Sequence, residues 1–247
     1  MIFGLIGKKL SHSFSKSYFE SKFSAIHLPY QYQLFEINNA VEIIQLKKDN
    51  PELIGLNVTI PFKRDVIEYL SEIDDAAKKI GAVNTIVFSN GKTKGYNTDA
   101  IGFEKSLDSF YTHNHGKNIL VLGNGGSSKA VQYILQKKGW PYKVVSKVKS
   151  NETIAYSQLK QSMIDYCALI INTTPVGMYP NTADTLPITK FNYTNCQYYF
   201  DLIYNPEQTA TAAMLKEKGV NTKNGLEMLH IQADASWEVW QQSITSL

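Results

Sequence analysis

A chain of 247 residues is long enough for one large domain or two modest ones, each able to bury its own core. Hydrophobic residues make up 43% and charged residues 19%, which excludes a fibre or a disordered tail. The net charge of +3, from 25 basic and 22 acidic residues, is too small to point to nucleic acid, yet a few lysines can still meet a small anion.

Cys167 and Cys196 have no histidine at ligand spacing, which argues against zinc and for buried free thiols in a reducing cytoplasm. Residues 1–7 are apolar, but Lys8 and Lys9 follow them, the reverse of a signal peptide, and no apolar run approaches membrane-spanning length. A soluble, cytoplasmic protein is expected.

Short strand-like runs alternate with helix-period segments, the pattern of α/β architecture with largely parallel sheets. In the first half, 1–6, 30–37, 53–60 and 82–88 read as strands, about four in all. Between them, 13–27 with Phe14 and Tyr18, and 39–48 with Val41, Ile44 and Leu46, read as crossover helices. The turn Ser89-Asn90-Gly91-Lys92 leads to Asn97-Thr98-Asp99, where Thr98 or Asp99 can cap a helix running through Phe103 and Leu107, the expected connector between domains. A second α/β unit opens with a strand over 118–122, a glycine turn, and a helix with Ala130, Val131, Ile134 and Leu135 on one face, ended by Gly139 and Pro141. Strands at 143–146, 168–172 and 198–203 follow, and 175–189 is the stretch with the least expected structure. A last helix from Leu226 puts Leu226, Leu229, Ala233, Trp237 and Trp240 on one apolar face.

Residues 120–128, Leu-Val-Leu-Gly-Asn-Gly-Gly-Ser-Ser, are a buried strand running into glycines and then a helix, the setting in which a dinucleotide fingerprint carries meaning. Gly123 permits a tight turn, Gly125 lets backbone approach a pyrophosphate, and the amides of Gly126 and Ser127 begin a helix whose positive end faces it. Ser128 stands where a third glycine is usual, and a plain strand-to-helix turn is the competing reading. Further on, where an NAD site would set an acid against the ribose, the chain has Val145-Ser146-Lys147-Val148-Lys149. Two lysines, a hydroxyl and no carboxylate favour a 2′-phosphate, and so NADP, unless Lys147 and Lys149 are simply solvated surface charges.

Asn57-Val58-Thr59-Ile60-Pro61-Phe62-Lys63 places polar groups within an apolar strand, where each needs a partner to offset desolvation. A lysine just past a strand end can point into a crevice, with a carboxylate such as Asp99 restoring its charged form; taken alone, Lys63 reads more readily as a surface lysine than as a catalytic one.

These segments form a longer series. Gly7 to Ser15 with His12-Ser13-Phe14-Ser15, Asn57 to Lys63, Gly81-Ala82-Val83-Asn84-Thr85, Asn97-Thr98-Asp99 and Gly123 to Ser127 open it. Ile171-Asn172-Thr173-Thr174-Pro175-Val176-Gly177-Met178, Asp201-Leu202-Ile203-Tyr204-Asn205-Pro206, and Asn224-Gly225-Leu226-Glu227-Met228-Leu229 with Gln232-Ala233 complete it. In order and spacing, over nearly the whole chain, the series resembles the motifs of the shikimate dehydrogenase (shikimate/quinate dehydrogenase) family.

The resemblance implies an α/β fold of two domains with a cleft between them. Residues 1–100 with 226–247 would form a substrate domain with a mainly parallel sheet, and 101–225 a Rossmann-like NADP domain. It implies that Ser13, Ser15, Thr59, Asn84, Tyr204 and Gln232 hydrogen-bond the hydroxyls and carboxylate of shikimate, and that Lys63 and Asp99, also in contact with substrate, form the acid/base pair. Gly123, Asn124, Gly125, Gly126, Ser127, Ser146, Lys147, Thr173, Leu202 and Gly225 match family positions that contact NADP, and Asp75 stands where a further cofactor-associated acid is expected.

Three positions depart from the pattern. Lys16 replaces a usual proline, Ala100 a usual glycine, and Ser146-Lys147-Val148 a usual Asn-Arg-Thr. A point-charge lysine in place of a forked guanidinium weakens adenine stacking and 2′-phosphate recognition. The expected partners are small molecules, without nucleic acid or membrane, in a monomer or homodimer. Quinate as substrate, NAD as cofactor, or an inactive nucleotide-binding homologue are the alternatives.

Overall fold

The computed structural model describes all residues except 11–12, 113–115, 148, 194–196 and 245–247, so that His12, Val148 and Cys196 lie outside the described residues. The chain divides into two compact units, Met1–Thr98 with Ala233–Leu247, and Asp99–Gln232. Among the described residues no helix is long and apolar enough to cross a membrane.

The first unit contains β1 (Ile2–Gly7), α1 (Phe14–Ala25), β2 (Gln31–Glu36), α2 (Glu42–Asp49), β3 (Leu53–Val58), β4 (Glu72–Ile73), α3 (Asp75–Ile80), β5 (Thr85–Ser89) and β6 (Lys92–Tyr96). They build a six-stranded sheet in the order β2-β1-β3-β5-β6-β4. β2, β1 and β3 run parallel, β5 is antiparallel to both β3 and β6, and β4 joins β6 in parallel. Six strands stand where the apolar pattern yields about four, because β6 (Lys-Thr-Lys-Gly-Tyr) and the two-residue β4 carry no apolar run. The turn between β5 and β6 has Asn90 and Gly91 both at positive φ, as a two-residue hairpin with the right twist requires.

Side chains of β1 alternate between two faces. Phe3 and Leu5 join Phe19, Phe23, Tyr32, Trp237 and Trp240 in one core, while Ile6 joins Ile43, Leu56, Val58, Phe62, Val66 and Ile86 in another. With both faces covered, these strands read as continuous hydrophobic runs.

The second unit holds α4 (Thr98–Phe110) from Asp99 onward, then β7 (Asn118–Leu122), α5 (Gly126–Lys137), β8 (Tyr142–Ser146), β9 (Thr153–Ala155), α6 (Gln161–Asp165), β10 (Cys167–Asn172), β11 (Tyr198–Asp201), α7 (Ala210–Glu217) and β12 (Asn221–Lys223). Its sheet is wholly parallel in the order β12-β11-β10-β7-β8-β9. The chain winds outward from β7 in one direction and from β10 in the other, the strand order of the Rossmann fold, with a switch point between β7 and β10. Leu120, Leu122, Val145, Ile164, Cys167, Ile170, Tyr199 and Leu215 form one of its cores. The final helix, α8 (Leu226–Ile244), begins in this unit and continues into the first from Ala233.

Candidate active site

In the first unit the topology brings separate motifs to one edge of the sheet. Because β1 and β3 are parallel with Ile6 opposite Val58, their carboxyl ends adjoin, and the Thr59 amide donates to the Ile6 carbonyl at 3.0 Å. Because β5 runs the other way, its start lies at that same edge: Asn57 faces Thr85, and the Val58 amide donates to the Asn84 carbonyl at 2.8 Å. The end of β6 returns there too, with Tyr96 opposite Thr85, so Asn97-Thr98 follow at the edge. Lys63 is half-buried, and its carbonyl accepts from the Val83 amide at 2.7 Å, fixing the segment after Pro61 against the strand start.

Ser13 occupies the N-cap position of α1 without a side-chain capping bond. Its Oγ is buried and has no hydrogen-bond partner among the described residues. Ser15 hydrogen-bonds Tyr32; burial pushes the Tyr32 hydroxyl pKa upward and the Ser15 bond opposes that rise. Lys16 is exposed in the first turn of α1 and pairs with Glu20 at 3.8 Å.

Asn84 is buried, and its Oδ1 accepts from the Thr98 amide at 2.7 Å while its Nδ2 donates to Thr98 Oγ1 at 2.9 Å. The side chain of Asn84 therefore grips the start of α4, whose next residue is the buried Asp99. A carboxylate in a helix's first turn is favoured by the unpaired amides there.

Sequence reasoning did not assign the groups beneath this edge. Tyr32 Oη donates to Asn57 Oδ1 at 2.8 Å; Asn57 Nδ2 donates to Ser236 Oγ at 3.0 Å and also reaches Thr85 Oγ1 and the Asn84 carbonyl, each at 3.3 Å. Ser236 Oγ in turn lies 2.8 Å from Thr85 Oγ1 and 3.0 Å from Thr98 Oγ1. Asn57 inside an apolar strand was the available signal that a buried polar network exists.

In the second unit the expected nucleotide residues gather at the carboxyl ends of the strands. Gly123, at φ +104°, follows β7; a Cβ there would lie 2.6 Å from Thr173 Oγ1, so only glycine fits so close to the loop after β10. Thr173 fixes that approach by donating to the Leu122 carbonyl through its amide at 2.9 Å and through its hydroxyl at 2.7 Å. Gly125 is the N-cap of α5 and no side chain caps the helix; a Cβ on Gly125 would meet nothing within 4 Å. An uncapped helix start of twelve residues with open space before it, carrying Gly126 and Ser127 behind Asn124, suits a pyrophosphate. Ser128 is fully buried and donates to the Gly123 carbonyl at 2.8 Å, so the residue standing for the third glycine braces the turn.

Ser146 ends β8 and donates to Thr153 Oγ1 at 3.2 Å; Lys147 beyond it is exposed. Leu202 and Gly225 pack backbone to backbone: a Cβ on Gly225 would come within 2.1 Å of the Leu202 carbonyl oxygen. Tyr204 is half-buried, and burial raises its hydroxyl pKa, which keeps it a neutral donor. Gln232, in α8, donates to the Leu229 carbonyl at 3.0 Å. Asp75 lies in the first unit, exposed in the first turn of α3, where Asp74 supplies the cap by accepting from the Ala76 amide at 3.0 Å.

The fold and the glycine turn define a two-unit α/β protein whose second unit is a dinucleotide-binding fold. A family model for the shikimate dehydrogenase substrate binding domain matches residues 5–86. A shikimate dehydrogenase (NADP(+)) of Clostridium beijerinckii is 39% identical over 97% of this chain and 92% of its own. The crystal structure of shikimate dehydrogenase from Aquifex aeolicus superposes with a TM-score of 0.85 at 35% identity, covering 97% of this chain and 92% of that one. The Thermus thermophilus shikimate 5-dehydrogenase structure, in complex with NADP(H) and shikimate, matches with a TM-score of 0.85 at 26% identity, covering 97% and 93%. The chain belongs to the shikimate dehydrogenase family.

Proposed function

We propose that this protein is an NADP-dependent shikimate dehydrogenase, reversibly reducing 3-dehydroshikimate to shikimate. The observation that carries the reading is the gathering of Thr59, Asn84 and the Thr98-Asp99 start of α4 at one edge of the first sheet. The first unit is the substrate-binding part and the second the nucleotide-binding part. Ser13, Ser15, Thr59, Lys63, Asn84, Asp99, Tyr204 and Gln232 bind the substrate, whose hydroxyls and single carboxylate call for neutral donors and acceptors with little positive charge. The buried, unpartnered Oγ of Ser13 supports its share of that role.

Gly123, Asn124, Gly125, Gly126 and Ser127 would hold the pyrophosphate, Thr173, Leu202 and Gly225 the segment nearer the reacting end, and Ser146 and Lys147 the 2′-phosphate, with Asp75 a further associated acid. When bound, the nicotinamide supplies or accepts the hydride. Lys63 hydrogen-bonds the oxygen that becomes alkoxide-like, donating its proton during reduction and recovering it during oxidation. Asp99 orients Lys63. The cytoplasm, a reducing compartment, suits the buried free thiol of Cys167.

The test follows absorbance of the reduced nicotinamide with shikimate or quinate crossed against NADP or NAD, for the wild type and Lys63→Ala. Turnover is expected with shikimate and NADP, and Lys63→Ala is expected to lower kcat by roughly a hundredfold or more with KM little changed. An unchanged kcat removes Lys63 from the chemistry, and absence of turnover with shikimate and either nucleotide overturns the reading.

A further inference from the structure

Two buried polar side chains at the centre of the second sheet take no part in the chemistry above. Asn172 is the last residue of β10 and Asp201 the last of β11, and the two face each other in register. Both are essentially inaccessible to solvent. Apolar side chains would pack there without a desolvation cost, so the polar pair matters for what it bonds.

Asn172 Nδ2 donates to Asp201 Oδ1 at 3.0 Å, while Asn172 Oδ1 accepts from the Thr174 amide at 2.9 Å and from Thr174 Oγ1 at 2.7 Å. Asp201 Oδ1 also accepts from the Ile203 amide at 3.1 Å. Asp201 Oδ2 accepts from Tyr199 Oη at 3.0 Å and from Thr209 Oγ1 at 2.8 Å. Thr209 is the N-cap of α7, and its Oγ1 accepts from the Ala212 amide. All four groups around the carboxylate donate, the pattern that suits an ionised acid. Burial raises its pKa above the usual carboxylate value, and these four bonds limit the rise.

The pair thus ties down three segments leaving the carboxyl edge of the sheet: Thr173-Thr174 after β10, Leu202-Ile203 after β11, and the start of α7. The first two lie beside the glycine turn and Gly225. Thr173 bonds Leu122 just before Gly123, and Ile203 accepts from the Gly225 amide at 3.0 Å. In an open α/β sheet the ligand lies against this edge at the switch point.

We infer that Asn172 and Asp201 are positioning residues that set the shape of the nucleotide crevice of the second unit by fixing the backbones of Thr173 and Leu202. The inference rests on the nucleotide-binding reading of that unit. Asp201→Asn preserves the arrangement: its amide oxygen accepts from Ile203 and Asn172, and its NH₂ meets the Tyr199 and Thr209 hydroxyls, which can turn to accept. Asp201→Ala and Asn172→Ala leave loop donors without acceptors.

The experiment measures direct binding of NADPH and NADH, and KM for 3-dehydroshikimate, in the wild type, Asn172→Ala, Asp201→Ala, Asp201→Asn and Thr174→Val. Thr174 is half-buried in a loop, so its hydroxyl can be removed without disturbing the core. Asn172→Ala and Asp201→Ala are expected to weaken NADPH binding roughly tenfold or more, Thr174→Val about threefold, and Asp201→Asn less than about threefold, with KM for 3-dehydroshikimate nearly unchanged. Wild-type NADPH affinity in folded Asn172→Ala or Thr174→Val overturns the inference and leaves the proposed function standing. Equal weakening of nucleotide and substrate overturns it as well, since that marks a general loosening. A wild-type chain that binds neither nucleotide overturns both readings.

Discussion

Thr98→Val replaces one hydroxyl by a methyl of equal size at a buried position. Thr98 Oγ1 lies 2.9 Å from Asn84 Nδ2, 3.0 Å from Ser236 Oγ, 3.2 Å from Thr85 Oγ1 and 3.2 Å from Asn84 Oδ1. A hydroxyl makes at most three such bonds, one given and two accepted. At about 1 kcal/mol each, and with partial re-pairing among the remaining groups, the loss is about 2 kcal/mol. For m near 2 kcal/mol per molar, the urea midpoint of the first unit falls by about 1 M. Two of the three tryptophans, Trp237 and Trp240, lie in that unit's core, so intrinsic fluorescence follows it.

The Asn84 bond to the Thr98 amide survives the substitution, but Asn84 Nδ2 loses the Thr98 hydroxyl and the start of α4 gains play. Because Asp99 is the next residue, kcat is expected to fall roughly tenfold while nucleotide affinity holds. A variant with the wild-type urea midpoint and wild-type kcat would refute the view that this buried network positions Asp99.

Ser236→Ala, which removes the hydroxyl shared by Asn57, Thr85 and Thr98, is expected to cost about 1–3 kcal/mol in the same unfolding assay. Lys147→Glu is expected to shift the ratio of NADPH to NADH affinity toward NADH by tenfold or more, since one charged hydrogen bond is worth about 1.5 kcal/mol and the new carboxylate repels a phosphate; an unchanged ratio would make Lys147 a mere surface charge. Trp240→Ala, which empties the space over Gly55 and leaves the Ile86 carbonyl without its 3.0 Å donor, is expected to cost about 3–5 kcal/mol, read by chemical denaturation. Glu227 is partly desolvated, which raises its pKa, but Lys223, Ser106 and Ser109 outweigh this and hold it below the usual carboxylate value. Its contribution is therefore present above that usual value and lost as pH falls through the depressed one. The second unit of Glu227→Gln should lose less stability than wild type on acidification across that window.

How far the sequence could be read depended on what kind of residue carried each element. β1, β3, β7 and β10 are apolar runs covered on both faces, and hydrophobic pattern finds them. β6 and β12 (Asn-Thr-Lys) are polar strands whose pairing is decided by a neighbouring strand and not by their own side chains. The Asn90-Gly91 turn was the local clue to β6. Among site groups, the glycine turn is legible because its chemistry is backbone chemistry and needs glycine in sequence. The network under Thr98 is not, because Ser236 comes 179 residues after its partner Asn57 and a lone serine in an amphipathic helix carries no mark. Asn172 and Asp201 lay inside recognised motifs, but their bonding to each other depends on strand register.

The crossing of α8 from one unit to the other has a consequence for synthesis. Trp237 and Trp240 pack with Phe3, Phe19 and Phe23, residues made long before them. The nucleotide fold between them has its entire sheet before α8 is made, whereas the first sheet emerges with an aromatic face uncovered. That face stays exposed to chaperones and to neighbouring chains until α8 has been made, so the first unit's core closes only after the second unit's sheet is complete.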